Sequence, residues 1–324
     1  MTATQTRPQL VTVFGGSGFV GRYVVRELAA RGYRVRAACR RPDLAGHLQP
    51  LGNVGQIHPV QANLRHQWSI ERAVDGADHV INLVGILAES GRQSFDNVQA
   101  RGAGWVSQAA AAAGASMLQV SAIGADADSE VGYARTKGEG ERLALDSMPN
   151  ATIVRPSIVF GPEDDFFNRF AGMARLSPFL PLIGGGKTQF QPVYVADVAH
   201  GVVDLMETQQ GAGQVFEFGG PRQMSFRECL ELMLEVIDRK RLFLSLPFGV
   251  ASTLAKVMQF APGAPLTPGQ VAMLRHDNVV SDAAAADGRT LAGLGVTPQS
   301  ASVILPRYLV RFRKHGQFEA TRGL

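Results

Sequence analysis

Short apolar runs alternate with helical stripes through the first half of the chain. Residues 10–14 are apolar but for Thr12 and lead into glycines, which predicts a buried strand. Residues 19–30 carry Val20, Val24 and Leu28 on one stripe, a helix that Gly32 would end as C-cap. Further strands are predicted over 33–39, 56–62, 80–85, 117–123 and 151–160, and helices over 69–74, 97–113 and 133–145. Strands alternating with helices imply a parallel sheet covered on both faces. The expected fold is therefore α/β, a Rossmann-type doubly wound parallel sheet whose ligands sit beyond the carboxyl ends of the strands.

The rhythm changes after Gly161. Proline and glycine become frequent from 178 to 192. Strands are expected over 190–195 and 215–218, and helices over 225–237, 250–259, 269–275 and 302–313, in a smaller mixed C-terminal region. The expected division gives 1–163 to the nucleotide-binding domain, with 189–220 returning to it. It gives 164–188 and 221–324 to a substrate or partner region.

Composition excludes several classes. Apolar residues make up 45% and charged residues 19% of 324, which is ordinary for a globular chain and not for a disordered one. Two distant cysteines, Cys39 and Cys229, form no disulfide framework and no Cys-x-x-Cys, so a reduced compartment is expected. The seven histidines never reach metal-ligand spacing, and no metal is expected. No apolar stretch is long enough to span a bilayer, and no basic patch carries the interleaved aromatics of a nucleic-acid binder. The net charge of +4 is concentrated: residues 303–324 hold Arg307, Arg311, Arg313, Lys314 and Arg322 against Glu319, equal to the net of the whole chain. Arg307, Arg311 and Lys314 at helical spacing suggest a basic face for an anionic membrane or an acidic partner. A solvated helix end explains them equally well.

The glycines are the first candidate chemistry. Gly15, Gly18 and Gly21 fit a G-x-x-G-x-x-G spacing between the first strand and the first helix, and Gly16, Gly18 and Gly21 fit G-x-G-x-x-G. Glycine permits the turn and the approach of a pyrophosphate, and the helix N-terminus supplies N–H groups and a positive dipole end. Gly15, Ser17, Gly18, Phe19, Val20 and Gly21 are the expected contacts. The second strand ends Cys39-Arg40-Arg41, without the acid that NAD sites place on the ribose 2′-hydroxyl. Arg40 and Arg41 are suited to a 2′-phosphate, so NADP(H) is favoured over NAD(H).

Tyr133 and Lys137 stand one helical turn apart on one face. An ammonium beside a phenol favours the phenolate, so such a tyrosine can act as general acid or base beside a nicotinamide. Lys137 could also hold the nicotinamide ribose without turnover.

Together these residues resemble the extended branch of the short-chain dehydrogenase/reductase superfamily. The loop from Gly15 to Gly21, the Tyr133/Lys137 pair, the segment 155–162 (RPSIVFGP) and the segment 192–199 (PVYVADVA) carry the resemblance. The stretches 60–63, 82–87, 178–184, 277–281 and 316–318 look like the atypical subgroup that contains the NADPH-binding accessory subunit of respiratory complex I and its bacterial relatives. The resemblance covers nearly the whole chain. It implies cofactor contacts from Asn63, Leu64, Val84, Gly85, Pro156 and Ile158 as well. It also exposes departures. The Ser/Thr-rich segment after the fifth strand reads Val120-Ser121-Ala122-Ile123-Gly124, leaving Ser121 alone beside Tyr133 and Lys137 as catalytic candidates, and Gln99 stands where an asparagine is usual.

The resemblance with its depleted set implies an accessory, assembly or stability factor linked to complex I or quinone metabolism, with little or no turnover. The alternatives are a working reductase, epimerase or dehydratase on a nucleotide-sugar or a hydrophobic quinone or lipid precursor, and an NADP(H)-responsive redox sensor. The expected location is cytoplasmic, with peripheral contact at the inner face of the membrane. Three further features stay open. Glu163, Asp164 and Asp165 suit a helix cap better than a substrate contact. Phe166, Phe167 and Phe170 could line a pocket or pack a core. Val250, Leu254, Val257 and Met258 fit a core-facing amphipathic helix better than a membrane or partner surface.

Overall fold

The computed structural model describes residues 8–258 and 267–314. The chain begins β1 (Leu10–Phe14), α1 (Phe19–Ala30), β2 (Arg34–Cys39), β3 (Ile57–Gln61), α2 (Gln67–Val74) and β4 (His79–Asn82). A π-helical turn (Asp96–Ala100) opens α3 (Arg101–Ala112), and β5 (Ser116–Val120), α4 (Gly132–Ser147) and β6 (Thr152–Pro156) follow. Next come β7 (Val159–Phe160), α5 (Phe166–Leu176), β8 (Phe179–Ile183), β9 (Gln189–Phe190), β10 (Val193–Tyr194), α6 (Val195–Thr208) and β11 (Val215–Phe218). The chain continues through β12 (Met224–Ser225), α7 (Phe226–Val236), β13 (Leu242–Leu246), α8 (Phe248–Met258), α9 (Pro268–Met273), α10 (Asp282–Ala286) and α11 (Ala301–Tyr308).

Seven strands form one sheet in the order β11-β6-β5-β4-β1-β2-β3. The pairs β1–β2, β2–β3, β1–β4, β4–β5 and β5–β6 are all parallel. The order reverses between β1 and β4, so helices cross on opposite sides there and a crevice opens at the strands' carboxyl ends. All five residues of β1 are buried, as a strand covered on both faces requires. The expected doubly wound α/β fold is therefore present.

The chain divides into two compact units. The first holds 1–155 and 198–216; the second holds 156–197 and 217–324. Phe14, Ile70, Val80, Val106 and Ala110 belong to a core cluster of the first. Phe160, Phe167, Leu180, Phe226, Leu230 and Leu305 belong to that of the second. Three two-stranded pairs, β7–β10, β9–β12 and β8–β13, accompany the second core.

Several expected elements are different in the structure. The strand over 151–160 is two, because Ser157 Oγ donates to Asn278 (2.7 Å) and the Ile158 N–H donates to Asn278 Oδ1 (3.0 Å), pulling the backbone out of the ladder. β8 and β13, paired in parallel across some sixty residues, were not anticipated. The last helix stops at Tyr308, with a 3₁₀ turn over Leu309–Phe312. Ile304, Leu305, Tyr308 and Leu309 are buried, so one face of this segment belongs to the core. Arg311 donates to Asn168 Oδ1 (2.7 Å) and Arg313 Nε to the Val236 carbonyl (2.8 Å). Two of the cations are thus used internally, and helical spacing does not hold through Lys314. Arg322 lies outside the described residues.

The α8 stripe is also reversed. Ala251 and Ala255 are buried against Ile183 and Val271, whereas Val250, Leu254 and Val257 are exposed. The core-facing reading of that stripe is therefore overturned. Alanine lets the helix approach closely, and the larger residues are left outside. The Met258 side chain lies outside the described residues.

Candidate nucleotide-binding site

The glycine loop joins β1 to α1. Gly15 has φ +77°, which favours glycine, and its N–H donates to the Ala38 carbonyl (3.0 Å) at the end of β2. The Gly18 N–H donates to the Gly15 carbonyl (2.9 Å), and Gly18 is the N-cap of α1. No side chain caps the helix and its first turn holds no acid, which leaves the dipole end available to an anion. A Cβ on Gly21 would stand 2.1 Å from the Gly15 oxygen and 2.7 Å from Gly16 Cα. This contact explains the third glycine: the first turn of α1 lies directly on the loop. Gly18 is exposed, and Ser17, Phe19 and Val20 are half-buried along the loop. Ser17 hydrogen-bonds the Cys39 thiol, whose pKa burial pushes up.

The two arginines after β2 separate. Arg41 is tied to Asp43 (2.7 Å). Arg40 is exposed and holds no hydrogen bond or ion pair among the described residues. Arg40 is thus the cation available to a phosphate. The Asn63 Oδ1 accepts the Arg65 N–H (3.1 Å), and the Asn63 N–H donates to Ser69 Oγ (3.0 Å), an Asx-type turn ahead of α2. Leu64 is buried, and a Cβ on Gly102 would lie 2.9 Å from its Cβ.

The polar centre of the site lies at the ends of β4 and β5. Asn82 and Gln119 face each other in register. Asn82 Nδ2 donates to Gln119 Oε1 (2.8 Å), Gln119 Nε2 to the Val120 carbonyl (3.0 Å), and Asn82 Oδ1 accepts the Val84 N–H (3.1 Å). Lys137 Nζ donates to the same Val120 carbonyl (3.4 Å) and lies 3.2 Å from where a Cβ on Gly85 would stand. Val84 contacts the loop, its Cγ2 lying 3.3 Å from a built Gly15 Cβ. The Asn82–Gln119 pair was missed in the sequence. Its signal was an amide near the carboxyl end of each of two largely buried strands.

Lys137 is 6% exposed, and burial lowers its pKa to about 8, opposed by Glu141. Glu141 is itself committed to Arg155 (2.6 Å). Burial pushes the Tyr133 phenol up to about 12. That contradicts the expected depression of the phenol by Lys137. The Tyr133 hydroxyl makes no hydrogen bond among the described residues, and its ring packs edge-on against Phe95, with centroids 5.9 Å apart. Ser121 Oγ and Gln99 Oε1 are buried and unpartnered. Gln99 Nε2 donates to the Ile86 carbonyl (3.0 Å). The π-helical turn carrying Gln99 lies against α4, where a Cβ on Gly140 would stand 2.2 Å from the Gln99 backbone carbonyl oxygen. π-turns commonly mark functional sites.

The first unit thus brings together the glycine loop, Arg40, Val84, Gly85, Ser121, Tyr133 and Lys137. Pro156 and Ile158 belong to the second unit, where Pro156 is buried at the end of β6 and the Ile158 N–H is already bound to Asn278. The acidic cluster is divided. Glu163 and Asp165 are exposed, while Asp164 is buried and accepts from the Gly161 N–H, the Asn168 N–H in the first turn of α5, and Tyr308 Oη (2.5 Å). Phe166, Phe167 and Phe170 pack with Phe226 in the second core, which resolves them as packing residues. Among the described residues no group of three His, Cys, Asp or Glu side chains converges on a metal-sized site.

The cradle fits a dinucleotide: a loop in which Gly15 takes a positive φ and a Cβ on Gly21 would strike the backbone, an uncapped helix N-terminus, and two orphaned buried oxygens, Ser121 Oγ and Gln99 Oε1. The model of the NAD dependent epimerase/dehydratase family matches residues 11–219. The chain belongs to that family. It is 33% identical over 320 residues to "NADH dehydrogenase [ubiquinone] 1 alpha subcomplex subunit 9, mitochondrial" of Arabidopsis thaliana, covering 95% of this chain and 79% of the relative. It is 31% identical over 199 residues to the "Ceramide reductase" of Caulobacter vibrioides, covering 61% of each chain. Two solved structures share the fold. The NADPH complex of the NADPH-dependent quinone oxidoreductase QOR2 of Escherichia coli has TM-score 0.71 and 18% identity, covering 92% of this chain and 99% of that one. MoeE5 in complex with UDP-glucose and NAD has TM-score 0.70 and 16% identity, covering 92% and 97%. Those two proteins hold NADPH and NAD, respectively, on this fold.

Proposed function

We propose that this chain is an NADP(H)-binding accessory protein, an assembly or stability factor of respiratory complex I or a quinone-linked complex, with little or no turnover. One observation carries the reading. The phosphate cradle is complete while the Tyr133 phenol is unpartnered, with its pKa pushed up to about 12. Bound in this cradle, the pyrophosphate meets the N-terminus of α1 and the adenosine 2′-phosphate meets Arg40. The strand end Cys39-Arg40-Arg41, with no acid before Asp43, favours NADP(H) over NAD(H). Lys137 holds the nicotinamide ribose, and the nucleotide stabilises the fold by binding only the native state. The similarity to complex I subunits over 95% of the chain supports the partner. A peripheral position at the inner face of the membrane follows from such a partner. The test is affinity purification of the tagged chain from its own host. Co-purification of complex I subunits with retained NADPH is expected. Purification without any subunit of a quinone-linked complex overturns the partner.

A second reading rests on the orphaned Ser121 Oγ and Gln99 Oε1. Substrate or ordered water would satisfy both. One relative is a ceramide reductase and another a farnesyl-dihydroquinoline-oxide ketoreductase, so the substrate class would be a lipophilic carbonyl. The nicotinamide supplies hydride when bound. Ser121 orients the carbonyl oxygen and the Tyr133 hydroxyl donates the proton to it. Tyr133→Phe then abolishes turnover and leaves cofactor affinity intact; full turnover in that variant excludes this role.

A further inference from the structure

The second unit exposes large apolar side chains on two consecutive elements. Phe179 and Leu242 are register partners in the parallel β8–β13 pair, and Leu244 lies two residues further along the same face. Val250, Leu254 and Val257 follow at i, i+4 and i+7 on α8. All six are between 41% and 70% exposed. The opposite faces are buried: Leu180 and Leu182 on β8, Ala251 and Ala255 on α8. Single exposed apolar residues are ordinary, but six large ones on two successive amphipathic elements are not.

Charge identifies the occupant. Residues 166–196 contain three basic residues and no acid, and residues 239–276 contain five and no acid. The even balance of the chain before residue 303 hides this cationic region. Arg175 and Lys240 stand exposed ahead of β8 and β13, and Lys256 lies between Leu254 and Val257 on α8. Protein interfaces are depleted in lysine. Apolar side chains interleaved with lysine and arginine, on two segments that carry no acid of their own, suit an anionic bilayer surface.

We infer that the β8–β13–α8 face is a peripheral docking surface for anionic phospholipid. This sharpens the membrane placement proposed above and moves it away from the last helix. Lipid alone tests it, so its failure is distinct from failure of the complex I reading. The full chain is sedimented with vesicles of phosphatidylcholine and of phosphatidylcholine mixed with phosphatidylglycerol. Binding to the mixed vesicles, weakened by salt, is expected. Lys240→Gln/Lys256→Gln should lower affinity roughly twenty-five-fold, about fivefold per charge. Leu244→Asp/Val257→Asp should lower it at least as much, with an unchanged thermal midpoint because both sites are exposed. Equal binding to the two vesicle types overturns the anionic part. Undiminished binding by both folded variants overturns the face. Binding to neither vesicle overturns the proposal and makes a protein partner the occupant.

Discussion

Replacing Lys137 by methionine should stabilise the protein in the absence of nucleotide. Burial lowers the lysine from 10.5 in the open chain to about 8 in the fold. That difference corresponds to about 3 kcal/mol against folding at pH 7, where both states are protonated and only the folded state lacks water around the charge. The sign follows from linkage. Between pH 8 and 10.5 the unfolded chain binds more protons than the folded one, so stability rises with pH through that window. Methionine fills a similar volume without charge. The Val120 carbonyl keeps its bond from Gln119 Nε2, so no acceptor is orphaned. Denaturant unfolding of both proteins across pH 7–10 is the assay. The variant should be more stable at pH 7, by up to about 3 kcal/mol, and its advantage should shrink as pH rises. Above pH 10 the Tyr133 phenol, raised to about 12, acts in the opposite direction in both proteins and lowers stability. A variant less stable than the parent at pH 7, or a difference independent of pH from 7 to 10, refutes the burial argument.

Other outcomes follow from the same geometry. Gly21→Ala places a methyl against the Gly15 backbone and should cost about 1–3 kcal/mol of stability, while abolishing nucleotide-induced stabilisation in a thermal melt. Arg40→Ser should weaken NADPH binding at least tenfold in calorimetric titration and leave NADH affinity nearly unchanged, since charge-assisted bonds to phosphate are lost. Tyr308→Phe leaves the buried Asp164 carboxyl without its hydroxyl donor and should lower stability by roughly 1–3 kcal/mol in denaturant unfolding.

The parts of the molecule written in local pattern were legible. β1 and α1 fall where the apolar run and the stripe ending before Gly32 predict, and the loop between them was readable because glycine there has a steric reason. Long-range partners were not legible. β8 and β13 pair across the chain, and neither segment alternates cleanly. The α8 stripe was visible, but its orientation depends on Ala251 and Ala255, which packing selects for smallness rather than hydrophobicity. The break after β6 depends on Asn278, some 120 residues away. In the site, Tyr133 and Lys137 were readable as a pair, yet their electrostatics were reversed. Proximity in a helix suggested a lowered phenol, whereas burial dominates at both groups and Lys137 is directed to the Val120 carbonyl.

The central claim is a retained nucleotide that is not consumed. Native mass spectrometry of the purified chain, before and after incubation with a quinone and an aldehyde, tests it most directly. One NADPH per chain is expected, still reduced after both challenges. A chain without nucleotide, or one whose NADPH is oxidised on either challenge, contradicts it.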